Sequence, residues 1–117
     1  LMAAEQGLDK AQYNIGKMYR DGEGVRADDV EAARWFRLAA DQGYAKAQNH
    51  IGLRLARGDG VDKDEILALM YLMLAAEQGL HSAIQNVADL SERLDESSIS
   101  KAKGMVSDWE PMLHGES

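Results

Sequence analysis

His50, His81 and His114 are the chain's three imidazoles, and they are the first residues to test for metal or acid–base chemistry. They stand 31 and 33 residues apart with no His-x3-His pair, so they do not share a helix face as zinc ligands would. With no cysteine, thiolate ligation and a disulfide framework are both excluded, and the compartment stays open. Ser98-Ile99-Ser100-Lys101 meets the Ser-x-x-Lys spacing of an activated serine, but no second catalytic signature accompanies it. The acidic, glycine-rich segment 21–29 lacks the alternating ligands of a calcium loop and has Ala32 where the bidentate glutamate would stand, so it reads as a turn. Gly22-x-Gly24 has no third glycine and no preceding strand, which removes a dinucleotide fingerprint. Arg57-Gly58-Asp59 spells an adhesion tripeptide, yet the internal repeat already places Gly58 and an acidic neighbour there. No nucleophile, base and orienting group come together, and the sequence predicts a protein without catalytic, cofactor or metal residues.

The elements behind these residues follow from one pentapeptide. Residues 3–7, 39–43 and 75–79 read Ala-Ala-Glu-Gln-Gly, Ala-Ala-Asp-Gln-Gly and Ala-Ala-Glu-Gln-Gly, a period of 36 residues. Between these markers the pairs Lys10/Lys46, Ala11/Ala47, Gln12/Gln48, Ile15/Ile51, Gly16/Gly52, Gly22/Gly58, Gly24/Gly60, Val25/Val61, Asp28/Asp64 and Ala32/Ala68 are identical. A period in this range marks a solenoid whose units are stable only when stacked.

Within a unit the spacing is helical. Ala11, Ile15, Met18 and Tyr19 predict an A helix over about 9–20, capped by Asp9 and ended by Gly22 and Gly24. Asp28 opens a B helix, with Glu31 completing a capping box, that runs to about Gln42 and buries Ala32, Trp35, Phe36, Ala39 and Ala40. Gly7, Gly43 and Gly79 stand where a left-handed residue ends a helix. The second unit predicts helices over 45–57 and 64–78. Gly16 and Gly52 lie inside A helices, where glycine costs about 1 kcal/mol relative to alanine, so close approach of helix A to helix B is expected there.

The organisation predicted is one all-α domain: 1–7 the end of a unit, 8–43 and 44–79 repeats, 80–93 a partial repeat, 94–110 a capping helix begun by Asp95, and 111–117 a tail. Because Ala3–Gly7 match the end of a unit, residues ahead of Leu1 are expected, and any export signal with them. Composition agrees with this plan. A single proline permits long helices, and one phenylalanine with few β-branched residues argues against a sheet. The net charge of −7 opposes a phosphate backbone and disfavours nucleic acid as a partner. The longest apolar run, 66–76, is too short for a transmembrane span.

One difference between the units stands out. Glu31, Arg34 and Arg37 of the first B helix become Leu67, Met70 and Met73 in the second. That stripe is expected to face outward and to be covered, either within the protein by the terminal helix or by residues upstream of Leu1, or from outside by a second copy or a methionine-tolerant partner surface meeting the outer face of residues 64–78.

Ala11, Ile15, Gly16, Tyr19, Gly22, Gly24, Val25, Asp28, Ala32, Trp35, Phe36, Ala39, Ala40, Gln42 and Gly43 together resemble the pattern of the Sel-one-like repeat family, a branch of the tetratricopeptide-like repeats. The second unit repeats most of the pattern, and 94–109 resembles the terminal helix of bacterial members. The resemblance implies a right-handed superhelix of antiparallel helix pairs with A helices on the concave face. It also implies a non-enzymatic scaffold or adaptor for a protein or peptide. The alternative it carries is peptidoglycan-fragment or β-lactam binding, or weak hydrolysis, as in cysteine-rich relatives. By the same alignment Lys10, Tyr13, Lys17 and Arg20, joined by Lys46, Asn49, Leu53 and Arg57, line the concave face and form a groove for an extended segment or terminal carboxylate.

Overall fold

The computed structural model describes the backbone of residues 2–112 and the side chains of residues 8–112; His114 lies outside them. Six helices follow in order: α1 (Met2–Asp21), α2 (Asp29–Asp41), α3 (Ala45–Arg57), α4 (Glu65–Glu77), α5 (His81–Ser91) and α6 (Glu96–Asp108). Among the described residues there is no strand. The fold is an all-α solenoid in which α1 pairs with α2 and α3 with α4, while α2 meets α3 and α4 meets α5 to join one unit to the next.

The repeat is reproduced down to single backbone bonds. Helix α1 ends where Gly22 N–H donates to Met18 O at 2.8 Å, and α3 where Gly58 N–H donates to Arg54 O at 2.7 Å. Both glycines take positive φ, 73° and 78°, a region closed to most side chains. The loops that follow are pinned alike, by Asp28 N–H to Tyr19 O and Asp64 N–H to Leu55 O, each at 2.9 Å. Asp28 then caps α2 by accepting from Val30 and Glu31 N–H, and Asp64 caps α4 through Leu67 N–H. The capping box expected at Glu31 is only half made. Asp28 N–H is already held by Tyr19, so the Glu31 carboxylate turns to Arg34 at 3.4 Å.

The core lies between the pairs. Phe36, Ala39, Ala47, Ile51, Leu69 and Ala75 are completely buried. A Cβ on Gly16 would lie 2.8 Å from the Phe36 ring, and one on Gly52 2.8 Å from Leu72 and 3.2 Å from Ala68 O. The two helical glycines therefore sit at the A–B contact, as the sequence pattern predicts.

Three expectations fail at the edges. Helix α1 runs through Gly7 instead of ending there, and Asp9 lies inside it instead of capping it. Gly43 and Gly79 do turn the chain, each with positive φ between two packed helices. Trp35 is half-buried instead of a core residue, and Met18 is 38% exposed.

The stripe Leu67, Met70 and Met73 does not face solvent. Helix α6 leaves the A–B alternation and packs chiefly on α4, bringing Ile99, Ala102, Met105, Val106 and Trp109 to the core. Met70 is 5% exposed, and Leu67 and Met73 are half-buried against the same cluster. Asp95 starts α6 by accepting from Ser98 N–H at 2.8 Å, and beyond it Met112 N–H reaches Asp41 O of α2 at 2.6 Å. A homodimer through the outer face of 64–78 would have to displace α6. The apolar character of α4 on every side is that of a helix covered on two faces.

Candidate functional site

Tyr13, on α1, is the centre of an aromatic and cationic cluster that spans both units. Its ring lies 5.7 Å from Phe36, 5.3 Å from Tyr44 and 5.5 Å from His50, and its hydroxyl is 3.2 Å from His50 Nε2. His50 stacks on Phe36 with centroids 4.8 Å apart and planes 14° from parallel. Lys17 Nζ stands 4.9 Å over Tyr13, and the Arg54 guanidinium 5.5 Å over Phe36. Such cation–ring contacts hold charge at the surface while the aromatic rings stay in the core.

The cluster is electropositive. Burial and then the charges of Arg20, Arg54 and Lys17 push the His50 imidazole down to about 4, with only Asp21 opposing them. Arg20 grips Asp21 through two bonds of 2.8 and 2.9 Å, which holds that carboxyl below its ordinary range. Arg54, whose side chain is 12% exposed, reaches Asp29 of α2 at 3.3 Å. Lys17 has no carboxylate within ion-pair distance among the described residues.

Of the eight groove residues expected from sequence, the structure brings Tyr13, Lys17 and Arg20 together around His50. Tyr13 is 7% exposed and is spent on packing, not available to a ligand. Asn49, 8% exposed, is likewise consumed: its Oδ1 accepts from Asn86 at 2.9 Å and its Nδ2 donates to Ser82 at 3.3 Å. Leu53 packs against the core. Lys46 lines a separate hollow at the helix ends with Asp9, Gly43, Tyr44 and Gln78, and Arg57 is exposed at the end of α3. Lys10 is exposed on α1.

A strict 36-residue shift does not bring His50 or Arg54 to the face of Tyr13 and Lys17. Adjacent A helices instead meet one residue later: Tyr13 bonds His50 and Asn49 bonds Asn86, a separation of 37 in both cases. On that register Lys17 is continued by Arg54, not Leu53. Because 36 residues are a whole number of 3.6-residue turns, helical periodicity gives no sign of that offset, which only the packing of α3 on α1 reveals.

Other candidates end in structure. Among the described residues no group of three His, Asp or Glu side chains could hold a metal ion. Ser98 supports the cap of α6 together with Asp95, whose carboxyl is lowered by the bonds from Ser98. Among the described residues no helix is long and apolar enough to cross a membrane.

The buried imidazole gives the cluster a pH signature. An unfolded histidine titrates near 6.5 and the folded one at about 4, so between these values the unfolded chain holds a proton that the folded chain lacks. The contribution is fully present above pH 6.5 and is lost as pH falls to 4. Its upper bound is about 3 kcal/mol, less to the extent that solvent reaches the ring. His50→Gln is therefore expected to flatten the acid limb of a stability–pH profile relative to the parent. Parallel profiles between pH 7 and 4 would show that the ring titrates normally.

The pattern of the Sel1 repeat matches residues 9–44 and 45–80. The fold superposes with a TM-score of 0.82 on the crystal structure of a protective antigen of uropathogenic Escherichia coli that displays an SLR fold. That protein is 29% identical over 92% of this chain, which spans 23% of its length. A Sel1 repeat protein from Oxalobacter formigenes is 40% identical, with a TM-score of 0.69, over 75% of this chain and 66% of its own. Comparison with curated proteins returns no match. With two consecutive repeats filling most of its length and the same helical stack as these bacterial structures, this chain belongs to the Sel1 repeat family.

Proposed function

We propose that this chain is a non-enzymatic scaffold that binds an acidic or carboxylate-ended protein segment on its A-helix face. Sel1 repeats generally mediate protein–protein interaction, and the chain's own residues narrow the class of partner. The carrying observation is the convergence of Lys17, Arg20 and Arg54 on His50 in a protein whose net charge is −7. Guanidinium groups keep donors to spare after one carboxylate, so Arg20 and Arg54 can each accept a second acidic group beside Asp21 and Asp29. Lys10, Lys46 and Arg57 are exposed outside the cluster.

The test uses a fluorescent peptide of alternating glutamate and alanine with a free carboxylate end, and its lysine counterpart as control. Lys17→Glu with Arg20→Glu is expected to abolish binding of the acidic peptide while the melt falls by only about 1–2 kcal/mol, because both side chains are half-buried and lose their contacts with Tyr13 and Asp21 but leave the core intact. Binding by the parent should weaken as salt rises. Equal binding by the double variant, or equal affinity for the lysine peptide, would remove this face as the site.

A further inference from the structure

Helix α5 leaves open a side that α3 keeps closed. Along α3 the stripe Gln48, Ile51, Gly52 and Leu55 is buried, and it meets α4: Gly52 lies against Leu72, and Gln48 Oε1 accepts from Gln78 at 2.8 Å. One period later the stripe reads Ile84, Val87, Ala88 and Ser91, the i, i+3, i+4, i+7 set of a single helix face. Among the described residues no helix lies on it, because α6 packs on α4 instead. Ile84 is 48% exposed, Ala88 is exposed, and Val87 and Ser91 are half-buried.

Between α5 and α6 this arrangement leaves a hollow of about 480 Å³. Met73 and Ala76 of α4 form its floor, Val87 one wall, and Lys103, Val106 and Ser107 the other. An apolar bottom with charge at the margin suits one face of an amphipathic helix. Glu77 of α4 and Lys103 of α6 supply that charge with opposite signs, and neither is in an ion pair among the described residues. The margin of α6 also permits close approach. Gly104 stands one turn before Ser107 on the same side of the helix, and a Cβ on it would meet nothing within 4 Å among the described residues. Gly16 and Gly52 lie under a neighbouring helix, whereas Gly104 carries the same loss of helix propensity with no neighbour there.

We propose that Ile84, Val87 and Ala88 of α5, with Met73 and Val106, form a docking groove for one amphipathic helix of a protein partner. Toward α5 that helix takes the place that α4 takes toward α3. It sets an alanine-sized residue over Ala88, because the larger Phe36 and Leu72 fit only over glycine, and it lays aliphatic side chains on Ile84 and Val87. An acidic residue of the helix faces Lys103 and a basic one faces Glu77, which fixes the direction in which it lies. The groove shares no residue with the basic cluster of α1 and α3, and it selects its partner by an apolar stripe.

The test is a display library of peptides built on the α2 sequence, residues 28–42, held helical by a side-chain crosslink on the outer face. Positions 32, 33, 36, 39 and 40 vary among Ala, Val, Leu and Phe, and positions 31, 34, 37 and 38 alternate between Glu and Lys. Selection on the intact chain is expected to enrich peptides with Ala or Val at 36 and larger aliphatic residues around it. Affinity for an enriched peptide should fall at least tenfold with Ile84→Glu or Ala88→Arg, both at exposed positions, while the melt is unchanged. Lys103→Glu should convert the preference at one charged position from Glu to Lys. No enrichment on the parent, equal enrichment on the Ile84→Glu chain, or binding lost only with Lys17→Glu and Arg20→Glu would overturn the proposal. So would binding that appears only after residues 113–117 are removed, which would give the groove to the chain's own end. A concentration-dependent doubling of mass that Ile84→Glu abolishes would overturn it in favour of a second copy.

Discussion

Leu67→Glu, Met70→Arg and Met73→Arg, made together, should lower the melting temperature steeply without changing the mass of the particle. These changes write the first unit's Glu31, Arg34 and Arg37 into the second. In α2 those positions carry charge, and Arg34 and Arg37 are exposed; in α4, which α6 packs against, the same positions are buried or half-buried in the core. Leu67 and Met73 are half-buried, so a longer polar side chain there can reach water along its stem. Met70, at 5% exposure, offers no such route, and an unpaired guanidinium in that position costs several kcal/mol. Against a total stability of roughly 5–15 kcal/mol for a domain, that loss is enough to detach α6 or unfold the chain. Calorimetry with sedimentation at matched concentration reads both quantities. A smaller particle with an unchanged melt would instead show that two copies share this face.

The helices were legible because their period and punctuation are local. The repeat and its glycines predict a helix over 45–57, the span α3 occupies, and the capping roles of Asp28 and Asp95 follow from their place before each helix. The path of α6 was not local. Its apolar positions predict that it covers something, but only tertiary packing determines that it lies on α4 instead of completing a pair with α5. The same limit applies to the basic cluster. The expectation for Lys17 and Arg20 rests on the tetratricopeptide-like alignment of one helix, whereas the places of Arg54 and His50 depend on how far the next helix has rotated. A shift of a single residue between units exchanges Leu53 for Arg54 and Asn49 for His50, and composition carries no trace of that shift.

The helical glycines allow the packing account to be tested by sign. Gly→Ala in the middle of a helix should stabilise by about 1 kcal/mol if nothing is close, because alanine restricts the unfolded chain and favours the helix. At Gly52 the added methyl would meet Leu72 at 2.8 Å, and Leu72 is itself 1% exposed with little space to withdraw. At Gly16 it would meet the Phe36 ring at the same distance, in a side chain that is wholly buried and stacked on His50. Overpacking of this kind costs about 1–3 kcal/mol, so both alanine variants should be less stable than the parent despite the gain in helix propensity. Gly52→Val, with its branched side chain, should lose more. The third unit is the control. Ala88 occupies the same position in α5, where it is exposed and where α6 has not paired with the helix, so Ala88→Gly should cost only the propensity of about 1 kcal/mol. Thermal melts of the four variants decide it: a stabilised Gly52→Ala would mean that α3 and α4 do not approach as closely as the contact with Leu72 requires.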